Sequence, residues 1–244
     1  VVNSWSKNMQ IGKTIIEEIL SRADDGVTRP FFCSCSDGHH YYVKGHDAGL
    51  ETLWNETIAG LFAAEFDLPV PEFKFIEVPP ELIKYSTFPD IQDLGERLAW
   101  GSHEVPCAIS FSEYLTVPDD LKCRILMFDW FTRNDDRTAA NPNLLWNSET
   151  QMLAVIDHNN AFAPDFQPAA FWEKHIFHDM GKEIFKKNSR PDYKNRINRC
   201  IVKMDDCFAL LPDEWTESES FDEYRNRVKT CISIPLERPE LFWR

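Results

Sequence analysis

The feature of the sequence that most limits what the chain can fold into is a set of polar side chains within residues 128–162. Asp136 and Asn141 stand five residues apart, and an apolar run ending at Ile156 leads directly to Asp157. A carboxylate can accept a proton from a hydroxyl group, and a second carboxylate and an amide oxygen can hold Mg²⁺ against phosphates. The spacing therefore predicts a loop and a strand pair that bring one base and two metal ligands together.

Two adjacent aspartates compete for the role of base. Asp136 precedes Asn141 by five residues and is followed by Arg137, whereas Asp135 would need a spacing of six. We therefore select Asp136. A planar guanidinium suits bidentate contact with carboxylates, so Arg137 is expected to orient the loop. Asn143 offers a second amide, which either supports the metal ligand or forms a turn.

These motifs, in this order, resemble those of the HipA-like serine/threonine kinases, which are distant relatives of the phosphatidylinositol kinases. The resemblance spans residues 24–162. It is carried by residues 134–137, 141–146 and 156–158, and upstream by residues 26–30, 42–45, 55–56 and 68–71.

The resemblance implies roles for two upstream residues. Lys44 follows two predicted strands around the turn at residues 37–38, where such kinases place the lysine that contacts the α- and β-phosphates. Glu56 lies near the start of a predicted helix over residues 53–66, where a carboxylate would orient that lysine. The alternatives are an exposed lysine at a strand end and a glutamate favoured by the helix dipole.

The turn at residues 24–30 is expected to cover the phosphates of a bound nucleotide. Gly26 is its only glycine, so phosphate contacts would come from backbone amides and from Thr28. In the family that this chain resembles, this region can carry a regulatory phosphorylated hydroxyl, which makes Thr28 a candidate. A threonine that only stabilises the turn is the alternative.

Three positions in the central segment depart from the pattern of related kinases or have an open role. Thr138 stands where the phosphatidylinositol kinases have histidine. Asn159 stands where glycine often follows Asp-His or Asp-Phe, although asparagine tolerates a left-handed backbone better than most residues. His158 either touches the substrate or the metal shell or, as we favour, makes a structural hydrogen bond.

The predicted fold class is α+β, a two-lobed protein-kinase-like fold. Residues 1–103 would form a small β-rich nucleotide-binding lobe and residues 104–244 a mainly helical catalytic lobe. Residues 11–20 have both helical and strand spacing and are left open. Further predictions are a strand at 73–78, a crossing strand and hinge at 98–107, a helix at 121–130, a hairpin of 144–146 with 153–156, and helices at 169–177, 190–211 and 220–232.

Composition excludes several other classes of protein. A formal charge of −14 argues against broad nucleic-acid binding, which needs clustered basic residues. The seven cysteines include no CxxC pair, which argues against a zinc site or a disulfide framework, and Cys33 with Cys35 are expected to be ordinary half-buried thiols. Because no run of eighteen apolar residues occurs, we expect no membrane span, and we also expect no signal peptide and a cytoplasmic location.

The leading hypothesis is an ATP- and Mg²⁺-dependent kinase that phosphorylates a protein serine or threonine, its own included. Asn141 and Asp157 would bind the metal; the substrate is unidentified, and an antitoxin-like regulator is a partner that the resemblance implies. A second hypothesis is a nucleotide-binding pseudokinase that acts as a scaffold. A third is a metal-dependent phosphate hydrolase built from Asp135, Asp136, Asp157 and His158, which would leave Lys44 and Glu56 without a role.

Overall fold

A computed structural model of the chain describes residues 10–24, 28–112 and 114–243. Strands dominate the first part of the sequence and helices the second. In chain order the elements of the described residues are β1 (Lys13–Arg22), β2 (Phe31–Cys35), β3 (His40–Lys44), α1 (Leu50–Glu65), β4 (Phe73–Glu77), α2 (Pro80–Tyr85), β5 (Ala99–His103), β6 (Ala108–Ser110), α3 (Asp119–Thr132), β7 (Leu144–Asn147), β8 (Met152–Val155), α4 (Pro168–Lys174), α5 (Gly181–Ile184), α6 (Arg190–Phe208), α7 (Asp213–Thr216), α8 (Ser220–Glu237) and α9 (Pro239–Phe242).

The first five strands form a closed barrel in the order β1-β2-β3-β5-β4. Strand β1 pairs antiparallel with β2 and parallel with β4, and this pairing settles the open prediction for residues 11–20 as a strand. Because side chains alternate along a strand, Cys33 and Cys35 share the interior face with Tyr41 and Val43. Both thiols are fully buried, rather than half-buried as predicted.

Helix α1 is buried over most of its circumference. Its residues from Leu53 to Ala63 are all buried, as expected for a helix with apolar residues on every face. Phe66, which follows the helix, packs against Phe128 and Phe131 of α3, with ring centroids 5.2 and 5.5 Å apart. The helix therefore lies in the same hydrophobic core as the C-terminal helices.

Helix α7 ties the barrel to the C-terminal helices at the start of β5. The backbone N–H of Leu98 donates to Glu214 Oε1 at 2.6 Å, and Trp215 Nε1 donates to the Leu98 carbonyl at 3.0 Å. The Trp215 ring also meets Phe75 edge to face at 5.2 Å. Two hydrogen bonds and a buried aromatic contact thus hold β5 in position.

The second sheet has the order β6-β7-β8. The predicted hairpin is confirmed, with Leu144 opposite Val155, while β6 was not predicted. Helix α3 confirms the helix predicted for residues 121–130, and it ends at Arg133, whose φ is 55°. Within the described residues, no helix combines the length and the apolar character needed to cross a bilayer.

A first prediction concerns Gly45, the residue after Lys44. A Cβ at this position would press on the carbonyl oxygen of Leu94 and lie 2.6 Å from the Leu94 Cα. Backbone cannot move aside as a flexible side chain can, so Gly45→Ala is expected to lower the free energy of unfolding by about 1–3 kcal/mol. Urea denaturation checks this. Gly12→Ala, whose Cβ would touch only the end of Lys74 at 3.4 Å, is the matched control and should change stability little.

Candidate active site

A cavity of about 620 Å³ lies between the barrel and the β7–β8 hairpin. Its walls combine apolar side chains with charged and amide side chains. Among the lining residues are the apolar Val70, Phe73, Trp100, Val105, Leu145 and Val155 and the polar Lys44, Glu56, Asp136, Asn141 and Asp157. The five polar side chains named here were all selected from the sequence, and they line one cavity.

Lys44 is placed by strand β3, whose last residue pairs with Trp100 of β5. Its side chain is only 7% exposed, so the alternative of an exposed lysine is wrong. The ammonium group donates to Glu56 Oε1 at 2.5 Å and to Asp157 Oδ1 at 2.9 Å. One cation thus joins a barrel strand, helix α1 and the segment after β8.

In the group formed by Lys44, Glu56 and Asp157, burial and the neighbouring opposite charges have opposing effects on the pKa values. Burial raises the pKa of Glu56 to about 7, and the neighbouring Lys44 ammonium counteracts that rise. Burial alone would lower the pKa of Lys44, but the two carboxylates raise it; the same ammonium holds the pKa of Asp157 below its ordinary value despite burial. Because two carboxylates share one ammonium, the group keeps surplus negative charge when all three are ionised.

The catalytic-loop candidates form a hydrogen-bonded group around Asp136. Its Oδ2 accepts from Asn141 Nδ2 at 2.9 Å and from Asn143 Nδ2 at 3.0 Å. Asn143 has a left-handed backbone, with a φ of 48°, and its side chain supports Asp136 rather than the proposed metal ligand Asn141. Thr138 Oγ1 accepts the backbone N–H of Asn141 at 3.1 Å, which closes the loop locally.

Arg137 is fully buried and connects the loop to its surroundings. Its Nε donates to Asp129 Oδ2 at 2.7 Å, the carboxylate contact expected from the sequence. Its Nη1 donates to the carbonyl oxygens of Asn143 at 2.5 Å and Ile156 at 3.2 Å. The same side chain therefore positions the loop and the end of β8, one residue before Asp157.

Asp129 and His175 belong to this group and were missed by the sequence analysis. His175 Nδ1 accepts the backbone N–H of Phe177 at 3.1 Å, so Nε2 carries the proton and donates to Asp129 Oδ2 at 3.0 Å. Burial would raise the pKa of Asp129, but Arg137 and His175 lower it. An isolated acidic residue in an apolar helix was a usable signal for Asp129, whereas no local pattern indicated His175.

The turn after β8 differs from the prediction. The residue with a left-handed backbone is Asp157, with a φ of 57°, and not Asn159. The His158 ring packs edge to face on Phe128 at 5.7 Å, and neither ring nitrogen has a hydrogen-bond partner among the described residues, so the ring does not make the structural hydrogen bond that was favoured. Its backbone N–H instead donates to Glu56 Oε2 at 3.0 Å.

The phosphate-covering turn is only partly described. Gly26 lies outside the described residues, whereas Thr28 lines the cavity together with Ala23 and Pro30. Trp100, Ser102 and Val105, which also line the cavity, come from the segment predicted as crossing strand and hinge. Trp100 stacks in a tilted arrangement on Phe73, with ring centroids 5.6 Å apart.

The donor set suits Mg²⁺ bound together with phosphates. Within the described residues, no group of three or more His, Cys, Asp or Glu side chains could hold a metal without other ligands. Mg²⁺ needs no such cage, because it binds through one or two carboxylates, substrate phosphates and water. The Asn141 side-chain nitrogen donates to Asp136, which leaves the side-chain carbonyl oxygen of Asn141 for a metal. Asp157 supplies a carboxylate in a group with surplus negative charge.

The buried ring of His158 leads to a prediction about pH. Burial lowers its pKa from 6.5 to about 3. Between these values the unfolded chain binds a proton that the folded chain does not, so stability falls as the pH falls, by up to ~1.4 kcal/mol per pH unit. Urea denaturation from pH 7 to pH 4 should show a shallower decline for His158→Phe than for wild type. The exposed His39→Gln should keep the wild-type slope, and an unchanged slope in His158→Phe would contradict the prediction.

Comparisons with known proteins bear on the fold and the family of the chain. The crystal structure of the Helicobacter pylori proinflammatory kinase CtkA has a similar fold, with a TM-score of 0.51 over 84% of this chain and 89% of that chain, at 12% sequence identity. The chain therefore has a kinase-like fold with both strands and helices. A family model described as "HipA-like kinase" matches residues 16–244, so the chain belongs to the HipA-like kinase family. No curated protein sequence matches it significantly.

Proposed function

We propose that the protein is an ATP- and Mg²⁺-dependent kinase that transfers the γ-phosphate to a serine or threonine hydroxyl of a protein, its own hydroxyls included. The observation that carries the proposal is the convergence of two groups on one cavity. Lys44, Glu56 and Asp157 form one hydrogen-bonded group, and Asp136 with Asn141 forms the other. Serine or threonine specificity is supported by the family resemblance alone.

In this proposal apolar side chains of the cavity contact the adenine, and its charged and amide side chains take the phosphates. Lys44 binds the α- and β-phosphates, and Glu56 keeps its ammonium in place. Asn141 and Asp157 hold Mg²⁺, which when bound neutralises charge on the phosphates. Thr28 also lines the cavity and is a candidate for regulatory phosphorylation.

Asp136 accepts the proton of the substrate hydroxyl while the hydroxyl oxygen attacks the γ-phosphorus and ADP leaves. Its Oδ2 is held by two amide donors, and Oδ1 lies outside these bonds. Arg137 holds the loop from the opposite side, through Asp129. A misplacement of about 1 Å can lower a rate on the order of a hundredfold, so this support matters for the rate.

We further assign residues 1–103 to a nucleotide-binding lobe and residues 104–244 to a catalytic lobe. The closed barrel of β1 to β5 supports the first and the helices α3 to α9 support the second. The bonds from Glu214 and Trp215 to Leu98 join the two lobes. These bonds would limit rotation of one lobe against the other.

One observation favours the scaffold alternative. Thr138 occupies the position at which phosphatidylinositol kinases have histidine, and its hydroxyl is engaged by the Asn141 backbone. A site of this kind could bind nucleotide without turning it over. Tight Mg-ATP binding with no phosphate transfer to any substrate would select this alternative.

Transfer of labelled γ-phosphate to the protein itself and to cell-extract proteins tests the proposal. Lys44→Met and Asp157→Asn should each lower transfer at least about a hundredfold, because each removes a charge that holds the triphosphate or its metal. Omission of Mg²⁺ should have the same effect. Lys122→Met, which removes a partly buried lysine paired with the exposed Asp119, is the control and should transfer at the wild-type rate. Phosphate release from simple esters without any nucleotide would instead select a hydrolase.

A further inference from the structure

A second cavity, of about 170 Å³, lies at the C-terminal end of α3, where the chain enters the catalytic loop. Four separate segments form it: the end of α3, the connection before α4, helix α8 and helix α9. Its lining includes the side chains of Trp130, Phe131, Arg133, Phe166, Ile234 and Phe242. None of the residues lining this cavity lines the larger cavity that contains Lys44 and Asp136.

The interior of this cavity is apolar and aromatic. Trp130 lies 5.8 Å from Phe166 and 6.0 Å from Phe242, measured between ring centroids. Protein interiors normally leave few gaps larger than a water molecule, and an apolar cavity of roughly 150 Å³ stays dry and can bind an aromatic ring such as benzene. The size and the lining of the cavity therefore suit one small aromatic ring system.

Arg133 adds a positive charge to this apolar cavity. It is half-buried, and no ion pair or hydrogen bond of its side chain occurs among the described residues. The neighbouring Cys231 cannot act as its counterion, because burial raises the pKa of that thiol to about 12. A guanidinium beside an aromatic cavity can hold an anionic ligand, and a carboxylate accepts two parallel hydrogen bonds from it.

We propose that this cavity is a binding site for a small aromatic monocarboxylate. The ring occupies the space beside Trp130 and Phe242, and the carboxylate accepts hydrogen bonds from Arg133. Because Arg133 terminates α3 and directly precedes the loop that holds Asp136, an occupant restrains the residue from which that loop begins. The evidence for this site does not depend on the proposed kinase function, since the two cavities share no residue.

Isothermal titration with 2-naphthoate and its neutral analogue 2-naphthamide tests the proposal on the whole chain. Wild type should bind one equivalent of 2-naphthoate, and Arg133→Gln should weaken this binding about tenfold or more, the effect expected for loss of a charge-assisted hydrogen bond. Arg133→Lys should retain part of the affinity. The affinity for 2-naphthamide should be the same in wild type and Arg133→Gln.

A variant that fills the cavity provides a second test of the proposed site. Ile234→Trp should abolish binding of both compounds while Mg-ATP binding stays at the wild-type level, and the indole N–H signal of Trp130 should shift on addition of 2-naphthoate to wild type. Should Arg133→Gln fold poorly, a preference of wild type for 2-naphthoate over 2-naphthamide together with the Trp130 shift still supports the site. Absence of binding, equal affinity of wild type for the two compounds, or displacement of 2-naphthoate by Mg-ATP would overturn it.

Discussion

Asp136→Asn is expected to lower the rate of phosphate transfer by roughly 10²- to 10⁴-fold, the range that removal of a general base produces. The amide keeps the size of the side chain and can still accept from Asn141 and Asn143 through its carbonyl oxygen. The ability to take a proton is lost together with the negative charge of the carboxylate. Mg-ATP binding and the free energy of unfolding should therefore stay close to those of wild type, the latter within about 1 kcal/mol.

Asp135→Asn is the matched control for this experiment, because it removes the same charge one residue away. Asp135 is not among the residues that line the cavity. Its transfer rate should stay within about threefold of wild type, well short of the loss expected for a general base. Equal rates in Asp136→Asn and wild type, or a larger loss in Asp135→Asn, would show that the base has been assigned to the wrong residue.

Arg137→Met is expected to lower the free energy of unfolding by about 3–5 kcal/mol, because it leaves the fully buried carboxylate of Asp129 without its guanidinium partner. It also removes the hydrogen bonds to the carbonyl oxygens of Asn143 and Ile156. Domains of ordinary stability have about 5–15 kcal/mol in total, so the loss should be visible as a large shift of the urea midpoint.

Two further variants show whether burial is the cause. Lys186→Met breaks an ion pair with Glu183 in which both side chains are about half exposed, and it should cost less than about 1 kcal/mol. The double variant Asp129→Leu with Arg137→Met removes both charges and should be more stable than Arg137→Met by itself. A double variant no more stable than that single variant would argue against an unpaired buried carboxylate as the source of the loss.

Local spacing was enough to predict the elements that carry the site. The hairpin β7–β8 and the helix α3 follow from short apolar patterns bounded by turn residues, and Asp136 with Asn141 is a contact across five residues. Lys44 and Glu56, twelve residues apart, are joined by a hydrogen bond between the end of strand β3 and helix α1. The family match over residues 16–244 agrees with the resemblance that these motifs carried.

Contacts between residues distant in the sequence could not be predicted from such local patterns. His175 meets Asp129 across 46 residues, and Glu214 meets Leu98 across 116 residues. Nothing near His175 or Glu214 in the sequence distinguishes these two side chains from ordinary surface or core residues. The left-handed turn was assigned to Asn159 from its preference, although the structure places it at Asp157, where the ion pair with Lys44 holds the backbone.

The order and spacing of the residues determined by themselves which chemical groups the chain possesses and which short elements present them, since periodicity and turn chemistry act over a few neighbours. Tertiary structure decided which of those groups meet and in what environment. Burial and charge partners come from segments far apart along the chain. They make Lys44 a shared partner of two carboxylates, Arg137 a buried support and Arg133 a cation with no counterion in the described part of the chain.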